Sequence, residues 1–124
     1  MIEQLKDFPP EVLAFTCGGL LTALDYRQVL EPAIEEAARD NAGLRLLYRI
    51  DKDFAGVEPG AMFEDARVGF AHLTQWERIA VVTDISWIAF GVQAFGFLTP
   101  GKVRTFRLAE MDQAKAWIAE QPVR

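Results

Sequence analysis

Three carboxylates fall within one short stretch, Asp51-Lys52-Asp53-Phe54-Ala55-Gly56-Val57-Glu58-Pro59-Gly60. Oxygens this closely spaced are what a hard divalent cation takes as ligands. The stretch follows an apolar run, Leu44 to Ile50, and α/β folds place ligands beyond the C-terminal ends of their strands. The dense Asp-x-Asp-x-Asp-Gly run of a calcium loop is missing, so Asp51, Asp53 and Glu58 read as solvated loop acids and no metal is expected. The single histidine, His72, follows Glu64, Asp65 and Arg67. A histidine beside an acid is the minimum for general-base chemistry, but Asp65 lies about two helical turns back, beyond a direct bond. The single cysteine, Cys17, stands before Gly18-Gly19. A nucleophilic thiol needs a base or a helix N-terminus to acidify it, whereas a lone cysteine ordinarily serves as a small buried hydrophobe. Two glycines ahead of a helix can cradle a phosphate, yet the full dinucleotide and P-loop patterns are absent and a tight turn is the expectation. No Gly-x-Ser-x-Gly elbow occurs. With no coherent catalytic set, the chain is expected to be a non-enzyme without a cofactor.

The 124 residues carry 18 acids and 13 bases, a formal charge of -5, and 51% are hydrophobic. That length suits one domain spanning residues 1–124. An acidic balance is the reverse of the clustered basic face of nucleic-acid binders, so no nucleic acid is expected as a partner. Arg45, Arg49, Arg104 and Arg107 fall on predicted strands. Lys102, Arg104 and Arg107 share the last of these and could grip an anion or an acidic partner, although charge is also how edge strands are guarded. One cysteine excludes an internal disulfide, and no apolar run reaches the roughly 20 residues of a membrane span. The start, Met1-Ile2-Glu3-Gln4-Leu5-Lys6-Asp7, has early acids and no apolar signal core. A cytoplasmic location is therefore expected.

The most informative stretch is uncharged: Ser86-Trp87-Ile88-Ala89-Phe90-Gly91-Val92-Gln93-Ala94-Phe95-Gly96-Phe97-Leu98. A surface helix should have a polar face, and this one has almost none. Its aromatic residues point around the helix, so one sheet face cannot cover them all. The segment is a buried helix, an interface with a second copy, or a lid over an apolar pocket. Gly91, Gly96 and Gly101 would ease its movement. Trp87, Ile88, Phe90, Phe95 and Phe97 are the expected ligand- or partner-binding residues. A non-polar small molecule or a membrane surface, met peripherally, is the expected partner, with a protein partner as the alternative, and the chain is expected to form a homodimer.

Around these residues the apolar pattern alternates between short β-like runs and longer helical ones. Ile2 to Phe8 reads as a strand closed by Pro9-Pro10, and Val12 to Cys17 as its antiparallel neighbour. Thr22-Ala23-Leu24-Asp25 has the form of a capping box, and Tyr26, Val29, Leu30, Ala33, Ile34 and Ala37 form a helical stripe. Pro32 should kink that helix, and Asn41-Ala42-Gly43 should stop it. Leu44 to Ile50 is a strand, Asp51 to Gly60 a loop, and Ala61 to Gln75 a helix with Met62, Phe63, Ala66, Phe70 and Leu73 on one face. Arg78 to Thr83 is a strand buried on both faces, since Ile79-Ala80-Val81-Val82 does not alternate. Ser86 should cap a helix through Phe95. Lys102 to Leu108 reads as an edge strand. Met111 to Gln121 reads as a last helix with Met111, Ala114, Trp117 and Ile118 on one stripe, ended by Pro122. The order ββαβαβαβα predicts an α/β fold: a mixed, mostly parallel sheet of about five strands with four helices.

In this order the chain resembles the SpoIIAA-like family, relatives of the STAS (sulfate transporter and anti-sigma factor antagonist) domains. The resemblance is carried by Leu21-Thr22-Ala23-Leu24-Asp25-Tyr26 with Pro32 downstream, and by Leu44-Arg45-Leu46-Leu47-Tyr48. It continues in Trp76-Glu77-Arg78-Ile79-Ala80-Val81-Val82-Thr83-Asp84, Trp87, Phe95-Gly96 and Val103-Arg104-Thr105-Phe106, so it spans nearly the whole chain. It implies a SpoIIAA-like, STAS-like fold. It also implies either a carrier of apolar ligands or an anti-sigma-antagonist-like regulator of a protein partner. The phosphoswitch members carry a Ser or Thr where the segment Asp51 to Gly60 stands here, and this segment has neither; the one serine is Ser86. Acids at Asp51 and Asp53 could mimic a constitutive phosphate charge. A kinase-driven switch is therefore not implied.

Overall fold

The computed structural model describes residues 1–61, 67, 73–96 and 101–120. Strand β1 (Ile2–Gln4) pairs antiparallel with β2 (Val12–Cys17), Ile2 opposite Cys17. β1 is shorter than its apolar run predicts. Asp7 turns the chain away at φ 69°, and Pro9-Pro10 have no N–H with which to extend a ladder. β2 then pairs in parallel with β4 (Leu44–Ile50), β4 with β6 (Trp76–Thr83), and β6 with β7 (Lys102–Phe106). The sheet order is β1-β2-β4-β6-β7, a mixed, mostly parallel sheet of five strands as the element order predicts. A second ribbon joins β3 (Leu20–Leu21) to β5 (Gly56–Val57), inside what the sequence reads as plain turn and loop. Two-residue strands carry no period, so nothing local announces them.

The first helix begins where the capping box places it. Thr22 Oγ1 accepts from the Asp25 N–H at 3.2 Å, and Asp25 Oδ2 accepts from the Thr22 N–H at 2.9 Å. The helix runs as α1 (Ala23–Asp25), a wide π turn (Tyr26–Leu30) and α2 (Glu31–Asp40). The π turn closes from the Glu31 N–H to the Tyr26 carbonyl, immediately ahead of Pro32. Pro32 has no N–H and would crowd the preceding turn of a regular helix, so the predicted kink is realised as this widening. Asn41 ends α2, its side-chain amide and its backbone N–H both donating to Ala37 O at 3.0 Å.

Alternation along the strands builds two apolar layers. Leu13, Phe15, Cys17, Leu44 and Leu46 face Tyr26, Leu30, Ile34 and Ala37 of the first helix. Val12, Ala14, Leu47, Ala80, Val82 and Phe106 face Ala114 and Ile118 of the last helix, α4 (Met111–Ile118). The predicted helix over Ala61 to Gln75 is seen as helical at residues 59–61 and 67, with a 3-10 turn at Leu73–Gln75. Met62, Phe63, Glu64, Asp65, Ala66, Phe70 and His72 lie outside the described residues, as do Gln121 and Pro122. β6 begins at Trp76 rather than Arg78, β7 ends at Phe106 rather than Leu108, and α4 ends at Ile118.

Arg45 interrupts the apolar run of β4 and is 6% exposed. It donates to the Ile118 carbonyl at 2.9 Å and the Glu120 carbonyl at 2.6 Å, and pairs with Glu77 at 3.2 Å. Arg78 donates to the Trp117 carbonyl at 2.7 Å. Two strand arginines thus bind carbonyls at and just beyond the end of α4, where backbone acceptors run out of helical donors.

Candidate functional site

Helix α3 (Ser86–Phe95) is launched from the C-terminal end of β6. Thr83, 3% exposed, accepts from the Ile85 N–H at 3.1 Å. Ile85 stays extended and takes the N-cap position with no side-chain bond, and its carbonyl accepts from the Ile88 and Ala89 N–H groups at 3.2 Å. The expectation that Ser86 caps this helix is therefore corrected. Ser86 is already inside the first turn, because the Thr83 bond has fixed the chain one residue earlier. Asp84 ties the same corner to the turn after β7, accepting from the Leu108 N–H at 3.0 Å and lying 3.8 Å from Arg107 and 3.9 Å from Lys52.

From there α3 lies over β6 and β7 on the face that carries Val103 and Thr105. Gln93 Nε2 donates to Thr105 Oγ1 at 2.6 Å. A Cβ on Gly96 would meet the Val103 Cβ at 3.2 Å, and one on Gly101 would come within 2.5 Å of the Trp76 carbonyl oxygen. These two glycines permit close packing against Val103 and the Trp76 carbonyl. Of the three glycines in and after α3, Gly91 has open space where a Cβ would stand.

The outward side of α3 consists of Ser86, Trp87, Phe90, Gln93 and Ala94. Trp87 is 68% and Phe90 75% exposed, one helical turn apart, while Ile88 is half-buried against the sheet side. The helix carries no charged residue. Of the five predicted binding residues, two therefore form an exposed aromatic ridge and Ile88 lies on the packed flank. The Phe95 side chain and all of Phe97 lie outside the described residues. Leu20 and Leu24, which follow the C-terminal end of β2 on the far side of the sheet from β7, are also exposed, at 51% and 55%. An exposed aromatic pair on an uncharged helix is the kind of surface that marks an interaction site.

The other chemically suggestive residues are occupied structurally. Asp51 pairs with Arg49 and accepts from Thr16 Oγ1 at 3.3 Å. Glu58 accepts from the Ala23 N–H at 2.7 Å, so it caps the first helix from outside. Asp53 lies against Gly18, where an added Cβ would come within 2.8 Å of its Oδ1. Asp51 and Glu58 thus have separate structural partners, Asp53 stays exposed beside Gly18, and no group of three His, Cys, Asp or Glu side chains among the described residues could hold a metal ion. Gly19 takes φ 60°, as a tight turn requires, and Cys17 is 1% exposed. The N–H groups that might have held a phosphate there already serve Asp25 and Glu58. The Asp25 carboxyl is held below its usual range chiefly by the Thr22 backbone N–H, partly opposed by its burial and assisted by the Thr22 hydroxyl and the chain's amino group. Glu64 and Asp65, which precede His72 in the sequence, lie like it outside the described residues.

Among the described residues, one cleft of about 510 Å³ opens between the β1–β2 turn and α2, and another of about 600 Å³ beside Arg49, Lys52 and Leu108. Neither is lined by a residue of α3. No helix among the described residues is long and apolar enough to cross a membrane.

Comparison with known proteins agrees with this architecture. In the crystal structure of an uncharacterised protein of the DUF3478 family from Shewanella loihica, described as having a SpoIIAA-like fold, 92% of that chain superposes on 95% of this one. The TM-score is 0.72 at 22% sequence identity, which is a likeness of fold. No curated protein matches the chain. The family model that matches is SpoIIAA-like and covers residues 12–119, which takes in both apolar layers and the whole of α3. The chain belongs to the SpoIIAA-like family.

Proposed function

We propose that this protein is a non-catalytic, STAS-like docking module that attaches peripherally to the apolar–polar boundary of a membrane by seating Trp87 and Phe90 there. The single observation that carries the reading is the exposure of these two rings, at 68% and 75%, on an uncharged helix. Tryptophan and phenylalanine on one side of a surface helix are the residues that enter the headgroup–acyl boundary. Their outward direction favours engagement of an external surface over closure on a ligand beneath the helix. Lys52 and Arg107, both 78% exposed, stand at the corner from which α3 starts and would add attraction to anionic headgroups.

Co-flotation with vesicles of phosphatidylcholine alone and with phosphatidylserine added tests the reading, alongside the solution mass of the protein. Binding that disappears in Phe90→Ser supports it. Failure to float, with a dimer mass that Phe90→Ser reduces to a monomer, would instead make α3 the interface between two copies. Failure to float with a lost cargo on organic extraction would return the apolar-ligand reading to first place. A protein-interaction role of the anti-sigma-antagonist type would then rest on surfaces other than the Asp51–Gly60 segment, which has no phosphoacceptor.

A further inference from the structure

Strand β7 forms one edge of the five-stranded sheet, and no described strand pairs with its outer side. Alternate residues of such a strand turn both N–H and C=O away from the sheet, leaving a template for another strand. Edge strands are often guarded by charge, and β7 does carry Lys102 and Arg104, both exposed. A guard of one sign repels only strands of that sign. Neither cation has a carboxylate within ion-pair distance among the described residues, in a chain whose net charge is -5.

Arg104 is also not a freely swinging side chain. Its guanidinium lies 4.8 Å from the Phe106 ring centre and 5.4 Å from that of Trp117. Arg78 lies over Trp117 as well, at 4.9 Å, while its nitrogens serve the Trp117 carbonyl and Glu120. Stacking of this kind orders the planar group and leaves its N–H fork available. The register Arg78–Lys102 and Ala80–Arg104 places Lys102 and Arg104 on the same side of the sheet, the side of α4. On the other side the edge is bordered by Gln93 of α3, bonded to Thr105.

We infer that the outer edge of β7 is a docking site for an acidic, extended peptide segment, which adds as a sixth strand with its carboxylates over Lys102 and Arg104. Backbone pairing would supply the register, and the alternating charges the choice of partner. The site shares no residue with the Trp87–Phe90 ridge, so either proposal can fail alone.

The test uses the full chain, a synthetic peptide alternating Glu and Val, and its Lys–Val counterpart. Amide exchange and chemical shifts are followed by NMR. The expected result is binding of the Glu–Val peptide with new protection at alternate β7 amides, weakened about tenfold between low and moderately high salt. Lys102→Glu, at an exposed position that touches no ring, should weaken binding about tenfold and leave the thermal midpoint unchanged; Arg104→Glu should do at least as much. Equal binding of the Lys–Val peptide, shifts centred away from β7, insensitivity to Lys102→Glu, or no binding at millimolar peptide would each overturn the proposal.

Discussion

Replacing Phe90 by serine separates the two things that an aromatic residue on this helix could be doing. If the ring is core, as an uncharged helix first suggests, its loss should resemble that of Phe15, which is 0% exposed. Truncating a buried phenylalanine costs about 3–5 kcal/mol. Phe90 is 75% exposed, so its replacement should change stability by less than about 0.5 kcal/mol, serine and phenylalanine having similar helix propensities. In urea, with a slope of about 2 kcal/mol/M, that is a midpoint shift below about 0.3 M, against more than about 1.5 M for a core residue. The same variant should lose vesicle affinity. An aromatic side chain offers roughly 150–250 Å² for burial, so Phe90 has about 150 Å² still in water. At about 25 cal/mol/Å², half-insertion is worth about 2 kcal/mol, a roughly twentyfold loss of partitioning. Urea unfolding and flotation of the one variant measure both quantities. A loss above about 2 kcal/mol in stability would show the ring to be packed, and unchanged flotation would remove the helix from the membrane contact.

Three further outcomes follow from particular contacts. Arg45→Met should cost about 2–4 kcal/mol in chemical denaturation, because the Ile118 and Glu120 carbonyls lose their donor at a site 6% exposed; a loss under 1 kcal/mol would mean water replaces the guanidinium freely. The lowered pKa of Asp25 means its ionised form stabilises the fold. That contribution is fully present above the unfolded value near 4 and is lost as pH falls through the lower folded value, so acid titration of Asp25→Asn should lack this component of the stability loss. Gly91→Ala, with open space about the site, should stabilise by about 0.5–1 kcal/mol, whereas Gly101→Ala, whose methyl would meet the Trp76 carbonyl oxygen at 2.5 Å, should destabilise; thermal melts that reversed this order would contradict the close approach of Gly101 to the start of β6.

What the sequence by itself determined is the part of the molecule in which local chemistry and periodicity agree. β2 and β4 run over the residues their apolar runs mark. The capping box at Thr22 and Asp25 forms both of its bonds, because its partners are three residues apart. The residues Tyr26, Leu30, Ile34 and Ala37 are buried because a 3.6-residue stripe has only one way to face a sheet. Family membership was legible for the same reason, as an ordered series of such elements. What tertiary structure alone decided concerns contacts between residues distant in the chain. Leu20 and Leu21 became a strand by meeting Gly56 and Val57. Arg45 became a clasp for the last helix, 73 residues away, where the sequence shows only a charge in an apolar strand. Glu58 was drawn from the acidic loop to the Ala23 N–H. The sequence marked the uncharged aromatic helix as exceptional, but whether Trp87 and Phe90 were core or surface depended on which turn of α3 met β6 and β7. A helix without a polar face carries no internal instruction on that point; the sheet chose the side holding Ile88, Val92 and Gly96, and the two rings were left in water.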